Sequence, residues 1–229
     1  WITGFDYGDA SHPPAIYLSL EPASLEQSIK AHDLTNEEKN RITVEIVLGM
    51  RYIHSKDLMH RDLKPENILL SKNKHARISD FGLAKEESLE TSQTKGVGSL
   101  RFMAPELFEE SEPERYDNKV DVYSFGIVLI FIVSEQYPPF SLQDRMNGIL
   151  PELPTTIVPW VAKLIHQCLD KSPSQRPTFN DIFHILQSHD YDLFNALPST
   201  KPTAQQRISK EEIERRILKI EAFEYQHRI

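Results

Sequence analysis

The run from Val122 to Val133 is apolar except at Ser124 and Gly126, and it constrains the fold more than any other stretch. It is too short to cross a bilayer, which takes about 20 apolar residues in a helix. A helix that is apolar nearly all round has to be enclosed by other elements. We therefore expect a buried helix opened by Asp121, with the rest of the chain packed around it. At 229 residues, 39% of them apolar, the chain can supply that surround as one large domain or two small lobes.

Local signals divide the remainder. Ala15 to Leu20 is rich in β-formers and reads as a strand, with Ile2 to Tyr7 as its hairpin partner. Leu25 to Lys30 reads as a short helix. Thr35-Asn36-Glu37-Glu38 is a capping box, and the helix it opens sets Ile42, Ile46, Met50 and Ile53 on one face. Leu58-Met59 and Ile68-Leu69-Leu70 read as short strands, as does Ala76-Arg77-Ile78. Residues 83 to 103 are polar, carry Gly96 and Gly98, and read as a long functional loop. Pro159 to Leu169 and Thr178 to Leu186 read as amphipathic helices, the second opened by a Thr178–Asp181 box. From Asp190 the composition turns polar, as in a linker. Ser209–Glu212 then caps a helix with Ile213, Ile217, Ile220 and Phe223 at helical spacing. That tail helix would dock on the domain or meet a partner.

A net charge of -8 argues against non-specific nucleic-acid binding. Cys168 is the lone cysteine, so no disulfide forms within the chain, which fits a reducing, cytoplasmic interior. No secretory signal and no membrane span are read from the sequence. The chain opens on Trp1 rather than methionine, which we read as the front of a longer reading frame being absent.

Residues 60 to 67 spell His-Arg-Asp-Leu-Lys-Pro-Glu-Asn, and thirteen positions later come Asp80-Phe81-Gly82. A lone charged tripeptide would most simply be a solvated loop. Eight fixed residues followed at this spacing by a second string resemble the catalytic core of eukaryotic protein kinases, with the Lys-Pro-Glu-Asn ending of the serine/threonine type. The resemblance implies an α+β, mostly α fold: a helical C-lobe over residues 24–190, a remnant of the β-rich N-lobe and hinge over 1–23, and a linker with the amphipathic helix over 191–229. It implies ATP and Mg2+ as cofactors and a protein substrate. Asp62 would accept the proton of the substrate hydroxyl, Lys64 would offset charge on the transferring phosphoryl group, and Asn67 and Asp80 would hold the metal. Leu20 would be the gatekeeper, Glu21 to Ala23 the hinge, and Leu69 the floor of the adenine pocket.

Further elements follow in the family's order. Met103-Ala104-Pro105-Glu106 closes the loop as Ala-Pro-Glu does in kinases, and Glu106 would pair with Arg176. Asp121 alone would be a helix N-cap. Its place in the series implies instead that it holds the backbone of the His60–Asp62 turn. Ser99 stands where the family usually carries threonine and would face the substrate. Arg61 and Lys85 resemble a basic pocket for an activation-loop phosphate, with Ser88, Thr91, Ser92 and Thr94 as acceptors. Pro159-Trp160 and Cys168-Leu169-Asp170 point to the tyrosine-kinase-like branch.

The chain also departs from the pattern. It carries neither a glycine-rich phosphate loop nor a strand lysine, and Pro22 in the hinge has no amide to donate. Without those parts the polypeptide alone is expected to phosphorylate poorly. The alternative is a non-catalytic, kinase-like binding or scaffold module.

Overall fold

The computed structural model describes residues 2–6, 15–18, 20–80, 100–108 and 117–195, the first two segments as backbone only. The expected hairpin is present: β1 (Ile2–Asp6) pairs antiparallel with β2 (Ala15–Leu18), in register from Asp6 opposite Ala15 to Ile2 opposite Leu18, with one irregularity at Ile2/Gly4. A second sheet has the order β3 (Ala23–Ser24), β4 (Ile68–Leu70), β5 (Ala76–Ile78), all antiparallel. Leu58-Met59 is not a strand. Its backbone closes the turn after the preceding helix, the Leu58 amide donating to the Ile53 carbonyl at 3.3 Å, and Leu58 is largely exposed. Without a neighbouring strand, β-propensity has nothing to pair with.

The helices begin where their side chains can cap them. α1 (Leu25–Lys30) starts with a Ser24–Gln27 box and α2 (Asn36–His54) with the expected Thr35–Glu38 box. The α2 face carrying Ile42, Ile46, Met50 and Ile53 is buried, as its periodicity requires. The apolar helix α3 runs from Lys119 to Ser134, two residues ahead of Asp121, and every side chain from Val120 to Ile132 is buried. α4 (Leu142–Met146) opens on a Ser141–Asp144 box, α5 is Pro159–Cys168, and α6 (Phe179–Ser188) uses the expected Thr178–Asp181 box.

Packing explains why α3 tolerates no polar face. α2 and α5 lie against it, and α6 packs on α2. At Gly126 a Cβ would fall 2.9 Å from Leu169 Cδ2 and 3.0 Å from Cys168 Cβ, so α5 approaches the backbone of α3 at a distance only glycine permits. The end of α3 is tied back: Glu135, in a left-handed conformation (φ 59°), accepts from Lys39 Nζ at 2.5 Å and pairs with His32. These contacts hold its carboxyl below the usual range, the Lys39 hydrogen bond being the largest cause. The packed body continues past Asp190. Tyr191 and Leu193 are buried, and the Leu193 amide donates to Asn40 Oδ1 at 3.0 Å. No described helix is long and apolar enough to cross a membrane. The expected helix after Ser209 lies outside the described residues.

Candidate active site

The loop between α2 and β4 is shaped from below by Asp121. Its carboxylate, fully buried in the first turn of α3, accepts from the His60 amide at 2.8 Å and from the Arg61 amide at 2.7 Å. His54 Nε2, at the end of α2, lies 2.9 Å from the same carboxylate. Asp121 is therefore no N-cap: Asn118 occupies that position and makes no side-chain cap bond. What these bonds hold is a backbone that would not form unaided, since Arg61 sits at φ 64°. The expectation that Asp121 grips the turn is met in the geometry.

His60 joins the two strings, a role the sequence reading did not assign. It is wholly buried, its Nε2 lies 2.8 Å from the Ser79 carbonyl, and its Nδ1 lies 3.3 Å from the Asp62 amide. A carbonyl only accepts and an amide N–H only donates, so Nε2 carries a proton toward Ser79 and Nδ1 faces a donor. One imidazole thus spans from Asp62 to the residue before Asp80. Its place at the head of the motif was the available signal.

Lys64 and Asn67 converge on Asp62. Lys64 Nζ donates to Asp62 Oδ2 at 2.7 Å, and Asn67 Nδ2 donates to the same oxygen at 2.9 Å and to the Asp62 carbonyl at 2.8 Å. Pro65–Asn67 form a 3-10 turn, with Pro65 at the position where a missing amide costs nothing. The Asn67 carbonyl in turn accepts from the Ser79 amide at 2.8 Å and the Ser79 hydroxyl at 2.9 Å. Ser79 is therefore fixed from two sides, by Asn67 and His60. Asp80 follows it, exposed, with φ 61°, its main chain started by that anchor. Asp62, Lys64 and Asn67 are brought together by direct bonds, and Asp80 is carried beside them through the backbone.

Asn67 and Asp80 offer an amide and a carboxylate, the hard oxygen donors that Mg2+ prefers. Among the described residues no cluster of three or more His, Cys, Asp or Glu could cage a metal. Mg2+ needs none, because it shares phosphate oxygens and keeps water. The residues present fit the ion.

The expected adenine contacts do not form one wall. Leu20 is 97% exposed. Ala23 pairs with Leu70 and Ser24 with Leu69. Residues directly opposite share a face, so Ala23 and Leu69 point to opposite sides of the sheet. Glu21 is engaged elsewhere, in an ion pair with Arg77. The gatekeeper assignment of Leu20 remains an expectation from its place in the sequence.

The segment beyond the loop is firmly held. Arg176, fully buried, grips Glu106 with two bonds of 2.6 and 2.7 Å, as expected. It also donates to the carbonyls of Asp170, Lys171 and Lys119. Lys85, Ser88, Thr91, Ser92, Thr94 and Ser99, with Phe81 and Gly82, lie outside the described residues.

Comparison with known proteins gives the family. Residues 7–191 match the family model described as protein kinase domain. The serine/threonine/tyrosine-protein kinase HT1 of Arabidopsis thaliana is 34% identical over 189 residues, covering 78% of this chain and 47% of its own length. A probable serine/threonine-protein kinase of Dictyostelium discoideum is 36% identical over 172 residues, 72% of this chain and 28% of that protein. The dual serine/threonine and tyrosine protein kinase of Canis lupus familiaris is 34% identical over 199 residues, 81% of this chain and 20% of that protein. The chain spans less than half the length of these relatives.

Proposed function

The chain belongs to the protein kinase family, and we propose that this protein transfers the γ-phosphoryl group of ATP to serine or threonine hydroxyls of a protein substrate. The observation that carries the reading is the convergence of Lys64 and Asn67 on one oxygen of Asp62. Those bonds turn the carboxylate and hold it, so it can orient the attacking hydroxyl and accept its proton as the new O–P bond forms and the bond from the γ-phosphorus to the bridging oxygen breaks, releasing ADP. Lys64, beside that oxygen, would meet the negative charge spread over the phosphoryl group. Mg2+ held by Asn67 and Asp80 would neutralise phosphate charge. His60 and Asp121 keep the loop in this arrangement before substrate arrives, so little reorganisation is needed at the moment of reaction.

Serine/threonine acceptance is the finer part of the proposal, since the names of two relatives include tyrosine. Lys64 supports it. The test is phosphate transfer from labelled ATP to peptide mixtures with serine, threonine or tyrosine as sole acceptor, by wild-type protein and Asp62→Asn. We expect labelling of the first two mixtures and a fall of about 10²- to 10⁴-fold in the variant. Equal labelling by both proteins would overturn the assignment of Asp62.

The exposed Leu20 and the divided Ala23 and Leu69 favour a second reading, a kinase-like binding module. Titration with ATP and Mg2+ separates the two, because the module would bind a protein partner with no nucleotide requirement.

A further inference from the structure

The backbone that follows Ser99 is gripped by a side chain that neither motif contains. Arg145, on α4, is 5% exposed. Its Nη1 donates to the carbonyls of Leu100 at 2.8 Å, Met103 at 3.0 Å and Arg101 at 3.1 Å, and its Nε to the Ser141 carbonyl at 3.4 Å. The guanidinium lies near the rings of Phe108 (5.7 Å) and Phe140 (6.0 Å). No carboxylate is among its hydrogen-bond partners in the described residues. Burial lowers its basicity, and Arg101 adds to that.

A buried cation whose described hydrogen-bond partners are all carbonyls is costly, and an apolar side chain of similar volume fills such a place more cheaply. What methionine or leucine cannot do is draw the carbonyls of residues 100, 101 and 103 onto one nitrogen. All described peptides are trans, so carbonyls turned toward Arg145 turn the amides of Arg101, Phe102 and Ala104 the other way. Other contacts fasten the same stretch from outside that cluster: Ser124 Oγ donates to the Phe102 carbonyl at 2.8 Å, and Arg176 holds Glu106. Neither sets the peptide planes that Arg145 sets.

We infer that Arg145 is a positioning residue for the protein substrate, fixing the backbone of residues 100–103 next to Ser99 in the one shape that receives it. The inference rests on the kinase reading, in which Ser99 faces the substrate and residues 100–103 continue directly from it. It separates substrate positioning from ATP chemistry, since none of Asp62, Lys64, Asn67 or Asp80 is among the hydrogen-bond partners of Arg145.

The experiment compares the full-length protein with Arg145→Met and Arg145→Lys, using a degenerate serine/threonine peptide mixture and ATP, together with hydrogen exchange at residues 101–104. Arg145→Met should raise the peptide KM about tenfold with the KM for ATP unchanged, and speed exchange of the Arg101, Phe102 and Ala104 amides. Arg145→Lys keeps the charge but lacks the planar fork, so it should fall between. Faster exchange with an unchanged peptide KM would overturn the substrate role, as would equal losses for peptide and ATP, which mark general destabilisation. Should the methionine variant fail to fold, a lysine variant with wild-type peptide KM overturns the inference. Wild-type protein that labels no peptide would sink the kinase reading and this inference with it, a result seen before any variant is compared.

Discussion

Asp121 Oδ1 accepts from the Arg61 amide at 2.7 Å, a bond between a residue of the apolar helix and one on the loop that carries the chemistry. Asp121 lies in the first turn of α3, so the bond joins the start of the helix the fold needs most to the element the proposed function needs most. With Oδ2 taking the His60 amide, both carboxylate oxygens are committed to the turn.

Replacing Asp121 by asparagine leaves one acceptor and sets an NH2 against a backbone donor. The variant should lose about 2 kcal/mol of stability, a fall of about 4–8 °C in Tm for a domain this size. Arg61 would relax from its left-handed backbone, and a displacement of Asp62 by about 1 Å is enough to cost about 100-fold in phosphate transfer. Calorimetry and a phosphotransfer assay measure the two losses, and an unchanged Tm would contradict the account.

Arg176→Met should destabilise by about 3 kcal/mol, because Glu106 loses its partner and buried carbonyls lose their donor. The combined Glu106→Leu and Arg176→Met variant should recover part of that, since no buried charge is then stranded. Denaturant unfolding of the two singles and the double gives the coupling. Purely additive losses would show that the pair does not act as a unit.

Asn67→Ala should raise the Mg2+ needed for half-maximal phosphate transfer by about ten- to hundredfold. It would remove the proposed ligand, and it releases Asp62 Oδ2 from its bond to Asn67 Nδ2, leaving the Lys64 donor. The measurement is transfer rate against Mg2+ concentration. A curve matching wild type would remove Asn67 from the metal site.

Asp181 accepts from the Thr178 amide at 2.8 Å and its hydroxyl at 2.7 Å, and the hydroxyl bond is the main cause that holds its carboxyl below the ordinary 3.8. A depressed value in the folded state means the carboxylate stabilises fully above the unfolded value and less as pH falls through the folded one. Thr178→Ala should cost about 1 kcal/mol near neutrality. The gap from wild type should narrow as pH falls below the ordinary carboxylate value, and a gap constant through that fall would contradict the cap.

Much was legible because it is local. The boxes at Thr35 and Thr178 predict where α2 and α6 begin, since a hydroxyl and a carboxylate three residues apart satisfy helix amides without help from the rest of the chain. Equivalent signals at Ser24 and Ser141 carry the same chemistry and passed unread. Leu58-Met59 misled because a strand exists only against a partner.

From the sequence alone came the α2 face of Ile42, Ile46 and Met50, the burial of the run through Val133, and the residues of the two strings. Each depends on side-chain type at a fixed spacing along one element. Only the tertiary structure decided that His60 spans Asp62 and Ser79, that Asp121 serves a loop rather than a cap, and that Arg145 gathers carbonyls from residues 42 to 45 positions away. Those are hydrogen bonds between groups distant in the chain. Their partners become definite only once the burial of α3 has brought the surrounding elements within 3 Å of one another.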